Sequence, residues 1–406
     1  MKILFIHQNF PGQFRHLAPA LAASGNEVVA LRPGDRDPVP WEGVRIVHYR
    51  IVRGSTKNIH PWLVDMETKT IRAEALFRKA LELKLNGYSP DIVIAHPGWG
   101  ESLFIKDIWP NTKLALYCEF FYHAKGADYN FDSEFSSNNI ADDCRIRLKN
   151  ANNLLHFEIA DAGLSPTIWQ ASTFPERFRQ KITVIHDGIN TDNAKPNPDC
   201  SISINNTVHL SKSNEVITFV NRNLEPYRGY HIFMRTLPEI MRRRPKARIL
   251  IVGGNEVSYG SSPPEGQTWR QIFLNEVKNQ LDLSRVHFVG QVPYYEFLSI
   301  MQISTVHVYL TYPFVLSWSL LEAMSCGCAI TASDTMPVRD VIYPNQTGLL
   351  VNFFDCQALA DQVIELLDNK ELCQKLGMNA RTFIQERFDL HSICLPQQIE
   401  WVNSLL

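Results

Sequence analysis

The sequence predicts an α/β protein of two domains, each built on a mostly parallel sheet. Three observations carry this. The chain has 406 residues, against a working figure of roughly 150 per domain. A phrase of apolar run, turn and helical period recurs through the first half and restarts in the second. Between them lies a polar stretch, 190–214, dominated by Asn, Asp and Pro. A hydrophobic share of 45% with 20% charged residues is ordinary globular composition. Lys plus Arg at 40 nearly cancels Asp plus Glu at 42, so no global field draws the chain to nucleic acid or an anionic bilayer.

The elements follow in order. Residues 2–6 form a near-continuous apolar run that meets a polar residue at once, which reads as a first strand and not as the core of a signal peptide. A turn over 7–12 leads to Phe14, Leu17 and Leu21 at helical spacing, stopped by Gly25. The next strand is 28–31. A long helical period over 65–85 ends at Asn86-Gly87, and the strand 91–95 ends at His96-Pro97-Gly98-Trp99-Gly100. A strand over 114–118 is followed by an irregular, aromatic stretch to about 139, expected to be a mobile or substrate-facing loop. A helix over 142–159 and strands at 162–165 and 182–186 close the first half.

The second half restarts with a strand at 216–220, a turn through Pro226 and Gly229, and a helix to Met241. Strands at 248–252, 286–289, 306–310, 329–331 and 348–351 alternate with helical periods, so this half is again a parallel sheet covered by helices. The expected division is 1–195, a linker over 196–214, 215–385, and a helical tail, 386–406, free to pack back on the first domain. No run reaches the roughly 18 apolar residues of a membrane span. The eight cysteines show no CxxC or Cys/His ligand spacing, and they read as reduced, mostly structural thiols of a cytosolic protein.

Ligands of such sheets sit outside the C-terminal strand ends. After the first strand, Pro11-Gly12-Gln13 feeds a helix N-terminus whose free N–H groups suit an anion or a sugar hydroxyl; an ordinary tight turn explains it equally. There is one glycine where a dinucleotide fingerprint needs three, and no GxxxxGK[ST], so a NAD-dependent dehydrogenase loses its support. After the strand at 216–220, Arg222 and Arg228 form a candidate diphosphate clamp that needs no metal, or Arg228 merely solvates a helix start. In 314–327, FVLSWSLLEAMSCG, Ser319 and Glu322 fit a capping box. The functional alternative gives Glu322 a ribose diol, with the backbone N–H groups of 317–319 on phosphate oxygens. His7, His96, His123, His186, Glu119 and Asp187 all follow first-half strands; each alone is more often a satisfied hydrogen-bonder, while strand ends of one sheet converge in space. With no H-E-x-x-H and no G-x-S-x-G, metallohydrolase and serine-hydrolase readings have no anchor.

Asn221-Arg222 through Arg228-Gly229, Val289-Gly290-Gln291, the 314–327 segment with its Glu-Ala-Met and Cys-Gly ending, Thr347-Gly348-Leu349-Leu350-Val351 and His186-Asp187-Gly188-Ile189 together resemble the retaining nucleotide-sugar glycosyltransferases of family 4. That resemblance covers nearly the whole chain and implies the GT-B fold, an α/β fold of two Rossmann-like domains facing a central cleft. It implies that the second domain binds a UDP- or GDP-linked sugar, with Glu322 on the ribose and Arg222 and Arg228 on the departing phosphates. Gly254, Val289, Gly290, Ser317, Ser319, Leu320 and Leu321 would line that site. The first domain would take a glycan, lipid-linked or small-molecule acceptor through Gly12 and the loops ending in His96 and Glu119. Glu119 or His123 would stand where the family has a histidine. No cofactor, essential metal or nucleic acid is implied.

Two further departures are expected to matter. Phe314 replaces the first glutamate of the family's Glu-x7-Glu motif, and Arg228 stands where a lysine is usual. The implied function is sugar transfer in surface polysaccharide or glycolipid synthesis. A non-catalytic nucleotide-sugar-binding partner, or a related epimerase or phosphorylase, is the alternative. The expected location is cytoplasmic, with peripheral contact at the inner membrane face open through Trp62, Lys69, Arg72 and Lys79 or through the 241–246 stretch, MRRRPK.

Overall fold

The computed structural model describes every residue except 38, 137, 138 and 206. The chain divides into two compact units. The first comprises Met1–Asn130, Ser136–Gly188 and His391–Leu406; the second comprises Phe131–Phe135 and Ile189–Leu390.

The first unit is built on strands β1 (Lys2–Ile6), β2 (Glu27–Pro33), β3 (Val39–Trp41), β4 (Val44–Tyr49), β5 (Ile92–Ala95), β6 (Lys113–Tyr117), β7 (Ala162–Ser165) and β8 (Ile182–Val184). They lie in the order β3-β4-β2-β1-β5-β6-β7-β8. Every neighbouring pair is parallel except β3 with β4. β1 is central, with Leu4 opposite Val29 on one side and Val93 on the other. Alternation divides its apolar run between two cores. Leu4 and Ile6 pack with Leu76, Ala80 and Leu83 of the helix Val64–Leu85, while Ile3 and Phe5 pack with Leu17, Leu21 and, from the tail, Trp401 and Val402. The C-terminal helix Leu395–Asn403 thus helps cover one face of this sheet.

The second unit carries a hairpin of β9 (Ser201–Ile204) and β10 (Val208–Ser211). Its main sheet comprises β11 (Val216–Asn223), β12 (Arg248–Gly254), β13 (Val286–Gly290), β14 (Val306–Tyr309), β15 (Ala329–Ser333) and β16 (Leu349–Val351). The six are wholly parallel, in the order β13-β12-β11-β14-β15-β16. Strand order runs one way from β11 to β13 and the other way from β14 to β16. The β11/β14 junction is therefore the topological switch point, where the loops diverge and leave a crevice.

Several expectations are corrected. The 196–214 stretch is not a bare linker: Ile202, Ile204, Val208 and Leu210 alternate inward along the hairpin and pack on the core of the second unit, and the chain passes between units at 188–189. The irregular stretch after β6 is partly tied into the second unit, and residues 137 and 138 of it lie outside the described residues. Its Phe131–Phe135 segment belongs to the second unit, where Phe131 lies 5.1 Å from the Tyr312 ring and Phe135 lies 5.4 Å from that of Trp269. The proposed basic faces are mostly neutralised. Lys69 is buried with Asp65, Arg72 pairs with Glu101 and Lys79 with Glu82. Arg242 pairs with Glu239, Arg243 with Asp361, and Arg244 with Glu215 and Asp368. All eight cysteines are free thiols. Among the described residues no helix is long and apolar enough to cross a membrane.

Candidate active site

In the first unit, the C-terminal ends of β1, β5 and β6 bring together Gly12, Gln13, His7, His96 and Glu119. Gly12 holds φ at +48°, and a Cβ there would stand 2.3 Å from Cε1 of His7. Only glycine lets the turn close onto that ring. His7 Nδ1 accepts from the Asn9 N–H at 2.9 Å, so its Nε2–H donates to Gln13 Oε1 at 2.8 Å. The Gln13 amide in turn donates to Glu119 Oε1 at 3.3 Å. Burial, reinforced by the neighbouring His96 and only partly opposed by Gln13 and Glu119, lowers the His7 pKa to about 3. The ring is therefore neutral at physiological pH. His96 Nδ1 accepts from the Gly98 N–H, leaving its Nε2–H aimed at Glu119 Oε2, 3.5 Å away. Its ring is fixed between Trp99 and Tyr117, with centroids at 4.5 and 5.5 Å.

These donors converge on Glu119, a partly exposed carboxylate able to accept from a substrate hydroxyl. Nearby, the Tyr117 hydroxyl donates to both oxygens of Asp187 at 2.9 and 3.0 Å. His186 Nδ1 takes the Gly188 N–H at 3.0 Å, and burial lowers its pKa to about 4. His123 departs from expectation: its Nε2 is bonded to the Thr173 carbonyl at 2.6 Å and its ring packs on Phe121, so of the two candidates only Glu119 stands in this cluster. Gln13, which relays His7 to Glu119, was missed; its position in the Pro-Gly-Gln turn was the available signal.

In the second unit, the candidates gather at the β11/β14 switch point. Arg222, at the end of β11, is exposed. Arg228 ends a 3₁₀ turn, Pro226–Arg228, that Gly229 closes at φ +70°. A Cβ at Gly229 would lie 2.3 Å from Leu310 Cβ, so the turn is pressed against the chain beyond β14. Arg228 is buried, and its Nη1 donates to Thr311 Oγ1 at 2.7 Å and the Val315 carbonyl at 3.0 Å. Burial disfavours its charge, but Tyr309, Tyr259 and Glu225 outweigh this and hold the guanidinium pKa above its ordinary value.

The helix Trp318–Ser325 begins here, and its cap differs from the expected one. Ser317 is the N-cap, accepting from the Ser319 N–H at 3.3 Å, and the Ser319 hydroxyl lies 2.8 Å from that of Ser317. Glu322 falls one turn further in, outside the cap that Ser317 makes. Leu320 and Leu321 are fully buried core side chains, and the Leu320 N–H is bonded to the Ser317 carbonyl. They support the site from below instead of lining it. Val289 and Gly290 are half-buried at the end of β13, with Gly290 at φ +76°. Gly254 pairs with Asn223, and a Cβ on it would stand 2.5 Å from Asn223 Oδ1. Phe314 is buried edge-on against Tyr227 and Tyr259, at 5.3 and 5.1 Å.

Asp132, Glu134 and His231 form another group with ligand atoms close enough to share a cation. Each is already engaged: Asp132 accepts from His231 and Tyr312, and Glu134 takes a two-pronged pair with Arg235. They form an ion-pair and hydrogen-bond network.

Residues 24–194 match the family model described as Glycosyl transferase family 4 group, and residues 203–383 that of Glycosyl transferases group 1. An uncharacterized glycosyltransferase of Methanocaldococcus jannaschii is 27% identical over 174 residues, 43% of this chain and 41% of that protein. D-inositol 3-phosphate glycosyltransferase of Corynebacterium efficiens is 27% identical over 168 residues, 41% of this chain and 38% of that one. The chain thus aligns with about two fifths of the length of these relatives. Among solved structures, sucrose-phosphate synthase from Thermosynechococcus elongatus superposes with a TM-score of 0.72 at 20% identity, covering 100% of this chain and 99% of that one. Anabaena HepE in complex with UDP-glucose does so with a TM-score of 0.68 at 16% identity, covering 100% of both chains. Both likenesses concern the fold, which is GT-B.

Proposed function

The chain belongs to the group 1, family 4 glycosyltransferases, and from that premise we propose that it moves a sugar from a UDP- or GDP-linked donor to an acceptor hydroxyl, with retained configuration and without an essential metal. The observation that carries this is the juxtaposition, at the β11/β14 switch point, of Arg222, Arg228 and the Ser317-capped helix that presents Glu322. Two guanidiniums beside the positive end of a helix dipole are a diphosphate site, and a carboxylate one turn into that helix suits the ribose diol.

In the reaction, the bond from the anomeric carbon to the diphosphate breaks, the bond to the acceptor oxygen forms, and the acceptor's proton leaves with the nucleoside diphosphate. Positive charge preorganised at Arg222 and Arg228 stabilises the negative charge that develops on the leaving group. Glu119, held by Gln13 and faced by His96, is placed to accept from and orient the acceptor hydroxyl. The acceptor is a glycan, a lipid-linked sugar or a small molecule, and a lipid-linked one would bring the chain to the inner face of a membrane.

Calorimetry with UDP and GDP tests the donor side. The expected result is binding that Arg222→Ala weakens at least about tenfold, the worth of a lost charged hydrogen bond. If neither these nor another common nucleoside diphosphate binds, the enzyme reading fails. Phe314 favours a second reading, a nucleotide-sugar-binding partner without turnover, because an aromatic ring stands where the resemblance expects a carboxylate for the sugar. Sugar transfer by the purified chain would exclude that reading. Nucleotide-sugar interconversion without acceptor, or phosphate-dependent sugar release, would replace transfer with the epimerase or phosphorylase activity.

A further inference from the structure

Beyond β12 the chain runs through a glycine-rich and proline-rich stretch before the helix Trp269–Val277, and this stretch is fastened at several points. Glu225, only 1% exposed, accepts through Oε2 from the backbone N–H groups of Ser258 and Tyr259 at 3.1 and 3.2 Å. Asn223 Nδ2 donates to Ser258 Oγ at 2.7 Å, and Trp269 Nε1 donates to the Ser261 carbonyl at 3.1 Å. A carboxylate buried to hold two N–H groups of one turn is an expensive device, since a buried charge must be offset by all of its bonds.

What the turn presents is Tyr259. Its ring lies beside the Arg228 guanidinium, with the centroid 5.1 Å from Cζ. The ring also packs on Phe314 and Tyr227, at 5.1 and 5.7 Å, yet the residue remains 42% exposed. Arg228 has its Nη1 committed to Thr311 and Val315, so its charge reaches the crevice beside, and partly through, this tyrosine. A phenol in that position has its own proton to donate to an anion drawn in by the cation.

We propose that Tyr259 is a ligand of the donor diphosphate, donating its hydroxyl to a phosphate oxygen beside the Arg228 guanidinium, and that Glu225 is the positioning residue that holds it there. The assignment rests on the donor site argued under Proposed function. It also gives Phe314 a role: in place of a sugar-binding carboxylate, it supplies the apolar floor on which Tyr259 stands.

The test is calorimetry of the full chain with UDP and, separately, UMP. Tyr259→Phe keeps the ring and loses the donor, and is expected to weaken UDP about tenfold while changing UMP less than about twofold, so the preference for the diphosphate falls. Glu225→Ala frees the turn and is expected to match Tyr259→Ala, with the double variant no worse than either single one, because both act through the same ring. Glu225→Gln should rescue, since an amide oxygen can take the two N–H bonds and Oε1 has no hydrogen-bond partner to lose. If Glu225→Ala does not fold, the Tyr259→Phe comparison and the Gln variant still decide. Equal UDP affinity in Tyr259→Phe and wild type, equal loss of UDP and UMP, or additive effects in the double variant would overturn the assignment. Wild-type protein that binds no nucleoside diphosphate would overturn the donor site itself, a distinguishable failure.

Discussion

Asp132 is the residue on which the Phe131–Phe135 segment depends, and its replacement has a magnitude that can be worked out. It is 4% exposed and takes three hydrogen bonds, two of them from far along the chain. Oδ2 accepts from His231 Nε2 at 2.9 Å and from the Tyr312 hydroxyl at 2.8 Å, while Oδ1 accepts from the Glu134 N–H at 3.0 Å. Burial pushes the carboxyl pKa up, but these three donors outweigh it and hold the group below the usual carboxylate range. In Asp132→Ala, the His231 ring, which is fully buried, and the Tyr312 hydroxyl both lose their acceptor. Each orphaned group costs about 1–3 kcal/mol, and breaking a buried charged network typically costs about 3–5 kcal/mol in all. Asp132→Asn is milder: its oxygen can take the Oδ2 place and keep both long-range bonds, while its NH₂ meets the Glu134 N–H, for a loss of about 1–2 kcal/mol. Urea unfolding followed by circular dichroism measures both, and a Tyr312→Phe cycle isolates the coupling. If Asp132→Ala costs under about 1 kcal/mol, or if Asn and Ala are equally damaging, the network does not hold the segment in the way described.

Other outcomes follow from the same geometry. Ser317→Ala removes the N-cap and should cost about 1 kcal/mol of stability in urea, whereas Glu322→Ala should leave unfolding unchanged and raise the donor KM about tenfold; a stability loss at Glu322 would restore the capping role. Gly12→Ala meets both a positive φ and the His7 ring, so it should destabilise by at least about 1–2 kcal/mol in the same assay, and a neutral result would refute the close approach. Burial lowers His156, His186 and His307 to a pKa of about 4. Between about pH 6.5 and 4 the unfolded chain binds protons that the folded chain refuses, so stability present above pH 6.5 is lost as the pH falls. At pH 5 the loss is about 2 kcal/mol for each histidine; a urea midpoint flat from pH 7 to 5 would contradict it.

What the sequence made legible was what is encoded locally. A run such as Lys2–Ile6 can only be a strand buried on both faces, and a strand end followed by charged residues marks a site wherever a parallel sheet forms. The placement of Arg222, Arg228, Glu119 and Glu322 at or just beyond strand ends was readable for that reason. Where two local patterns competed, reading failed. Ser317 and Ser319 are two residues apart and both can cap a helix, and only the backbone decides that Ser317 does. Partnerships across long sequence separations left no trace at all: nothing near Asp132 announces His231 or Tyr312, 99 and 180 residues away. Accessibility is the least legible property, and the site turns on it. The sequence shows that Arg228 is a cation but not that Thr311 and Val315 saturate its Nη1, nor that an aromatic ring lies over it. An arginine so placed cannot sweep the crevice as a flexible lysine would. It offers a fixed, partly covered fork, to which the diphosphate of the proposed donor comes in one orientation. In that proposal the arginine at 228 and the ring at Phe314 are parts of one rigid arrangement, in place of the lysine and the carboxylate that the family resemblance implies.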